Sequence, residues 1–117
     1  MGTVTIYHNP RCSTSRKALE LLRERGLEPT VVEYLKTPPS VAEIKSIARA
    51  TGEPVRALLR TKQPEYLAQG LDDPKLDDDA LARAMHATPV LIERPIVVTD
   101  RGARLGRPLE NILDVLP

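Results

Sequence analysis

The spacing of hydrophobic and polar residues along this chain of 117 residues predicts an alternation of strands and helices near the N-terminus. Residues 3–8 form a short β-branched segment that stops at Asn9-Pro10, which is typical of a strand followed by a turn. A helical pattern follows from about residues 13–15 to Arg25, with Gly26 placed to terminate it. Residues 30–35 predict a second strand. A strand, a helix and a strand in this order indicate a right-handed parallel βαβ unit.

The middle of the chain is predicted to be helical. Ser40 and Glu43 form a capping box that opens a helix, and Gly52 ends it. A second short helix is predicted over residues 55–60. We expect residues 61–76 to be a loop anchored by Tyr66, Leu67 and Leu71, with a further helix beginning at Asp77 or Asp78.

The C-terminal part favours a hairpin and a last helix. Residues 96–99 and 103–105 predict two strands joined by a turn at residues 100–102. Pro108 can start a helix, because apolar residues then repeat at helical spacing, namely Leu109, Ile112, Leu113 and Leu116. The whole order predicts an α/β fold with a mixed β-sheet flanked by helices.

Composition narrows the class of protein. The length fits one domain, and 41% apolar with 28% charged residues is ordinary for a globular protein. No segment approaches the ~20 apolar residues of a membrane span, and no apolar signal core is present, so we expect a cytoplasmic protein without a membrane partner. The single cysteine excludes an intramolecular disulfide.

The sequence disfavours a metal site, a calcium loop and a nucleic-acid site. One cysteine and two histidines, His8 and His86, lie on different predicted elements and make no convincing metal site. The aspartates of residues 72–79 lack the calcium-loop pattern and are best explained as a solvated loop with a helix cap. Basic residues are not interleaved with aromatic ones, so nucleic acid is not an expected partner.

Cys12 is the main candidate for chemistry, since it lies between the first strand and the first helix. Unpaired backbone N–H groups at a helix N-terminus favour both a thiolate and a bound anion. Arg11, Arg16 and Lys17 surround it in sequence, and no acid precedes Glu20. The alternative is a half-buried cysteine that acts as a small hydrophobic residue. A phosphatase-type Cys-x5-Arg loop is disfavoured because position 18 is alanine.

The segment that carries His8, Asn9, Pro10, Cys12, Thr14, Ser15 and Arg16 resembles the glutaredoxin-coupled arsenate reductases of the ArsC family. Four further segments match the family in order, namely residues 34–40, 55–60, 94–99 and 102–108. The resemblance implies a thioredoxin-like sheet in a single domain over residues 1–117, with a helical insertion at about 40–88.

The resemblance also implies roles for individual residues. Cys12 would be the nucleophile, and His8 would influence the ionisation of its thiol. Arg60, Arg94 and Arg107 would clamp the oxyanion, for which guanidinium groups are suited because they bind tetrahedral oxyanions bidentately. The Arg94-Pro95 bond is expected to be cis, and Ser15, Arg16 and Pro95 would support the site.

Each of these residues also has a simpler interpretation, in which the arginines are solvated surface groups and His8 is a turn histidine. Two positions depart from the family pattern. Ser13 stands where glycine is common, which puts the fit of the anion loop in question, and Gly106 stands where a family member has a second cysteine.

The resemblance implies that arsenate is reduced to arsenite through a Cys12 thiol–arsenate intermediate. No bound cofactor is expected. Glutathione would be the co-substrate and glutaredoxin the protein partner. The alternatives are a regulator of the Spx type that binds RNA polymerase, and a glutathione-linked oxidoreductase with another substrate. The Spx type commonly carries a Cys-x-x-Cys switch, and Ser15 occupies its second position here.

Overall fold

The computed structural model describes residues 3–117, which fall into two units. The first unit combines the chain up to Thr37 with Arg94–Pro117, and the second is Pro38–Glu93. The second unit encloses the predicted helical segment 40–88. Within residues 3–117, no helix has both the length and the apolar character needed to cross a membrane.

The first unit is built on a mixed four-stranded sheet. Its strands are β1 (Thr5–His8), β2 (Thr30–Glu33), β3 (Ile96–Thr99) and β4 (Gly102–Leu105), in the order β2-β1-β3-β4. β1 and β2 are parallel, whereas β3 is antiparallel to both β1 and β4. The predicted βαβ unit, the C-terminal hairpin and the mixed sheet are therefore confirmed.

Helix α1 (Ser13–Glu24) connects the two parallel strands and ends as its sequence predicts. Gly26 adopts the left-handed conformation with φ 78°. Its N–H donates to Arg23 O (3.0 Å), and the Leu27 N–H folds back to Leu22 O (3.0 Å). These two bonds are the pattern of a Schellman motif, which glycine forms without steric cost.

Strand β2 is two residues shorter than predicted, because the chain turns at its end. The backbone N–H groups of Lys36 and Thr37 both donate to Glu33 O at 2.9 Å. The chain therefore turns directly after Glu33, and the strand ends there.

The last helix is also different from the prediction, since Leu109–Val115 is a 3₁₀ helix rather than an α-helix. Its buried side chains follow a spacing of three, with Ile112 and Val115 almost fully buried and Leu113 41% exposed. A 3₁₀ helix repeats every three residues, so its buried face differs from the one that an α-helical spacing selects. The helix packs with α1 against one face of the sheet, in a core formed by Val4, Ile6, Ala18, Leu22, Val97, Ile112, Val115 and Leu116.

The second unit is helical. It contains α2 (Val41–Thr51), α3 (Pro64–Ala68) and α4 (Asp78–Ala87), with short 3₁₀ helices at Val55–Leu58 and Pro89–Leu91. The Ser40–Glu43 capping box is present, and Asp77 caps α4 by accepting from the Ala80 N–H at 2.8 Å. The buried apolar side chains of this unit include Ile44, Ile47, Val55, Leu58, Leu71, Leu81, Met85 and Leu91.

Three predictions for this unit were wrong. Residues 61–76 are not wholly a loop, since Pro64 starts the short helix α3, and proline is favoured at a first helical position. Leu67 is 68% exposed and anchors nothing, whereas Leu71 is buried. The helix predicted over 55–60 stops at Leu58, because Leu59 forms an isolated β-bridge with Ile92.

Candidate active site

Cys12 lies in the tight turn that joins β1 to α1. It is the capping residue of α1, with an extended backbone (φ −91°, ψ 121°). Its N–H donates to Asn9 O and its carbonyl accepts from the Arg16 N–H, both at 3.0 Å. The side chain is partly exposed. The predicted position of the cysteine at a helix N-terminus is therefore confirmed.

Strand pairing brings two further segments to this turn. Because β3 runs antiparallel to β1, the residues before Ile96 lie beside the residues after Tyr7. The pairing of Ile96 with Leu105 in turn places Gly106 and Arg107 next to this edge. The sheet order β1-β3-β4 thus collects three segments that are distant in sequence at one end of the sheet.

Arg107 makes the most direct contact with the sulfur. Its Nη2 lies 3.4 Å from Cys12 Sγ, and its Nε donates to Arg94 O at 2.8 Å. The second bond fixes the guanidinium plane against the main chain of another segment. A cation held in this way beside a sulfur favours the thiolate.

The balance of effects lowers the pKa of the Cys12 thiol below its usual value. Burial by itself raises this pKa, but the backbone N–H of Ser15, the charge of Arg94, the N–H of Thr14 and the charge of Arg107 together outweigh it. Helix amides and guanidinium groups act in the same direction, because both stabilise negative charge on sulfur.

Pro95 follows Arg94 through a cis peptide bond, as expected, and Arg107-Pro108 is also cis. Pro95 O accepts from the Gly106 N–H at 2.9 Å. A Cβ on Gly106 would lie only 2.8 Å from Pro95 Cγ. The absent side chain of Gly106 therefore allows β4 to approach Pro95, a role that the sequence did not reveal.

His8 and Ser15 form a buried polar pair beside the turn. The His8 Nδ1 and Ser15 Oγ atoms are 2.6 Å apart, and Ser15 Oγ also accepts from the Asn9 N–H at 3.0 Å. Burial lowers the pKa of His8; the Glu33 carboxylate opposes this effect, and the charges of Arg23 and Arg16 add to it. His8 thus reaches the cysteine loop through Ser15, whose side chain binds the histidine while its amide faces the sulfur.

Arg16 stabilises the turn before Cys12 through a hydrogen bond. Its Nη1 donates to Pro10 O at 2.9 Å, which ties the first turn of α1 back to the turn before Cys12. Asn9 Oδ1 accepts from the Arg11 N–H at 3.0 Å and closes the same turn. These bonds hold the backbone of the sulfur-bearing segment.

Arg60 belongs to the second unit. It follows the bridge at Leu59, and its N–H donates to Leu91 O at 2.7 Å. Its role in an oxyanion clamp stays a prediction. The described part of the chain contains no cluster of three or more histidine, cysteine or acidic side chains that could hold a metal ion.

The model of the ArsC family matches residues 7–115. The chain belongs to the ArsC family. An arsenate reductase from Rhizobium meliloti is 52% identical over 115 residues, covering 98% of this chain and 82% of the relative. An arsenate reductase from Neisseria meningitidis is 51% identical, and the match covers 99% of this chain and 100% of the relative.

The solved structures agree with this ArsC assignment. The arsenate reductase from Vibrio cholerae superposes with a TM-score of 0.93 at 50% identity, covering 97% of this chain and 98% of that one. The expected α/β, thioredoxin-like fold of the family is thereby confirmed.

Proposed function

We propose that this ArsC protein reduces arsenate to arsenite through Cys12, with glutathione and glutaredoxin as electron donors. The observation that carries the proposal is the partly exposed Cys12 sulfur at the N-terminus of α1, 3.4 Å from the Arg107 guanidinium. The names of relatives at about half identity over the whole chain support arsenate as the substrate.

Arsenate binds where positive potential is already concentrated. The Arg107 guanidinium lies 3.4 Å from the sulfur, and the Thr14 and Ser15 amides and the charge of Arg94 also favour its thiolate. Amide and guanidinium groups bind tetrahedral oxyanions through charge-assisted hydrogen bonds. In this proposal Arg60 completes the clamp as a third guanidinium group, the role that the family resemblance gives it.

The first chemical step forms a bond between Cys12 Sγ and arsenic. The thiolate attacks arsenate, a sulfur–arsenic bond forms, and an arsenic–oxygen bond breaks to release hydroxide, which is protonated to water. No oxidation occurs in this step. The cations that hold the substrate also neutralise the charge that the sulfur and the oxyanion bring together.

The two electrons must then come from other molecules, because the chain has only one cysteine. Two thiols supply them. One arsenate and two glutathione molecules give arsenite, one glutathione disulfide and water, and glutaredoxin carries the disulfide exchange. We place this reaction in the cytoplasm, where glutathione keeps thiols reduced.

The test is a reconstituted arsenate reduction assay with wild-type protein and Cys12→Ser. We expect turnover only when glutathione and glutaredoxin are both added, and loss of turnover to background in the variant, since serine is far less nucleophilic. Ser13→Ala, an adjacent hydroxyl residue, is the matched control and should retain activity. Efficient turnover with thioredoxin alone, or with Cys12→Ser, would contradict the proposal.

A further inference from the structure

A cleft of about 610 Å³ runs along one side of α1 in the first unit. Its volume is within the range of about 300–1,000 Å³ that is usual for small-molecule sites. The function proposed above assigns nothing to it. Its helical wall carries Arg16, Leu19, Glu20, Arg23 and Glu24.

The cleft ends at the loop that carries the reactive sulfur. His8 and Pro10 line that end, and the Arg16 guanidinium crosses it to donate to Pro10 O at 2.9 Å. The Arg16 N–H bonds the carbonyl of Cys12 at 3.0 Å. A molecule that occupies the cleft therefore lies against the same turn as the sulfur.

The charges in the cleft are of both signs, and apart from the bond of Arg16 to Pro10 O they are available to a ligand. In the part of the chain that the structure describes, none of the ion pairs involves Arg16, Arg23, Glu20 or Glu24. The cations and acids alternate along the helix face, and Leu19 contributes apolar surface between them. Such a wall suits a small molecule that carries carboxylates and an ammonium group together with an apolar stem.

We propose that this cleft is the binding site for glutathione, an inference that rests on the proposed function. Glutathione is a tripeptide with two carboxylates, one ammonium group and one thiol. Arg16 and Arg23 bind the carboxylates, and Glu20 or Glu24 binds the ammonium group. The thiol points to the Pro10 end and so towards the Cys12 turn. Binding is noncovalent, and the redox steps are those given above.

The test uses S-methylglutathione, which has no free thiol and can neither reduce arsenate nor form a disulfide. We expect saturable binding in an NMR titration, with shifts at His8, Leu19 and Arg23. Arg23→Ala should weaken binding about five-fold, because it removes a charge-assisted contact. Arg25→Ala, a neighbouring exposed arginine outside the cleft, is the control and should bind as wild type does.

Kinetics give a second measurement. Arg23→Ala should raise the KM for glutathione about five-fold while leaving the KM for arsenate unchanged, and Glu24→Gln should act in the same direction. An absence of saturable binding, shifts on another surface, or equal binding by Arg23→Ala would overturn the site. The proposed function has its own test, because it is contradicted if arsenate reduction does not require glutathione. In that case the S-methylglutathione titration still shows whether the cleft binds the peptide.

Discussion

The Cys12 sulfur acquires its properties from neighbours of two kinds. The first kind is local, because the amides of Thr14 and Ser15 belong to the first turn of the helix that Cys12 caps. The second kind is distant in sequence, since Arg94 and Arg107 arrive through strand pairing. Both lower the pKa of the thiol, and together they exceed the opposing effect of burial.

Substitution of Arg107 distinguishes its effect on the pKa of Cys12 from the effect of the helix amides. Arg107→Ala should raise the pKa of Cys12 towards its usual value, because the guanidinium 3.4 Å from Sγ is lost while the helix amides remain. It should also weaken oxyanion binding about tenfold, as expected for one charge-assisted contact. The measurement is the rate of Cys12 alkylation as a function of pH.

Arg49→Ala, an exposed arginine in the last turn of α2, is the control for this experiment and should leave the alkylation profile unchanged. An Arg107→Ala profile identical to that of the wild type would show that the helix amides and Arg94 activate the sulfur without Arg107.

His8 makes stability depend on pH in a defined direction. Burial holds its pKa in the folded state below the unfolded value of about 6.5. The unfolded chain therefore binds the proton first, so the stabilisation is fully present above pH ~6.5 and is lost as the pH falls through the folded pKa. Urea unfolding between pH 7.5 and 4.5 should show a smaller loss of stability in His8→Asn than in the wild type.

His86→Asn is the matched control, because His86 is the other histidine of the chain and, unlike His8, it is exposed. The unfolding free energy of His86→Asn should fall on acidification as steeply as that of the wild type. The assignment to His8 would be wrong if both variants flattened the curve equally.

Among the secondary-structure elements, the predicted ends of α1 and α2 agree best with the structure. α1 ends in the Schellman motif at Gly26, and α2 begins with the Ser40–Glu43 capping box. Both features depend on residues within one turn of each other, so their geometry is contained in a few adjacent positions. The end of the helix at Leu58, which was predicted wrongly, depends instead on Ile92, a partner far along the chain.

The capping box can be tested by two serine-to-alanine substitutions, one at the cap of α2 and one within the helix. Ser40→Ala removes the side chain that accepts from the Glu43 N–H at 3.1 Å, so it should cost about 1 kcal/mol of unfolding free energy. Ser46→Ala is on the exposed face of the same helix and should change stability by less than ~0.5 kcal/mol. Denaturant unfolding measures both, and equal effects would mean that the cap contributes nothing.

At the scale of the whole molecule, the sheet order β2-β1-β3-β4 accounts for the arrangement of the site. The central position of β1 and its antiparallel partner β3 bring the cysteine turn, Arg94-Pro95 and Gly106-Arg107 together. The N–H of Gly106 and the side chain of Arg107 then connect these segments by hydrogen bonds of 2.9 and 2.8 Å.

Arg60 tests whether the second unit contributes to the reaction. Arg60→Ala should raise the KM for arsenate about tenfold or more, because a cation of the proposed clamp is lost. The melting temperature should stay close to that of the wild type, since it is the main-chain N–H of Arg60 that bonds Leu91 O, and this bond survives the substitution. Steady-state kinetics and thermal unfolding measure the two effects.

Arg49→Ala again serves as the control, as an arginine of the second unit that the family resemblance gives no role. Wild-type affinity of Arg60→Ala for arsenate and for sulfate would remove Arg60 from the clamp and leave Arg94 and Arg107 as the anion site.

The strands, the main helices with their caps, and the position of one cysteine at a helix N-terminus could be predicted from short segments of the chain, although β2 ends earlier than expected. These follow from interactions between residues a few positions apart, which hydrophobic spacing and capping residues record directly. The family resemblance gives Arg107 a role in the anion clamp, but its contact with the sulfur of Cys12, 95 positions away, comes from the folded sheet. The same is true of the close approach of Gly106 to Pro95, which leaves no room for a side chain. Such contacts depend on strand order and register, which are set by the packing of the whole sheet and not by any short segment.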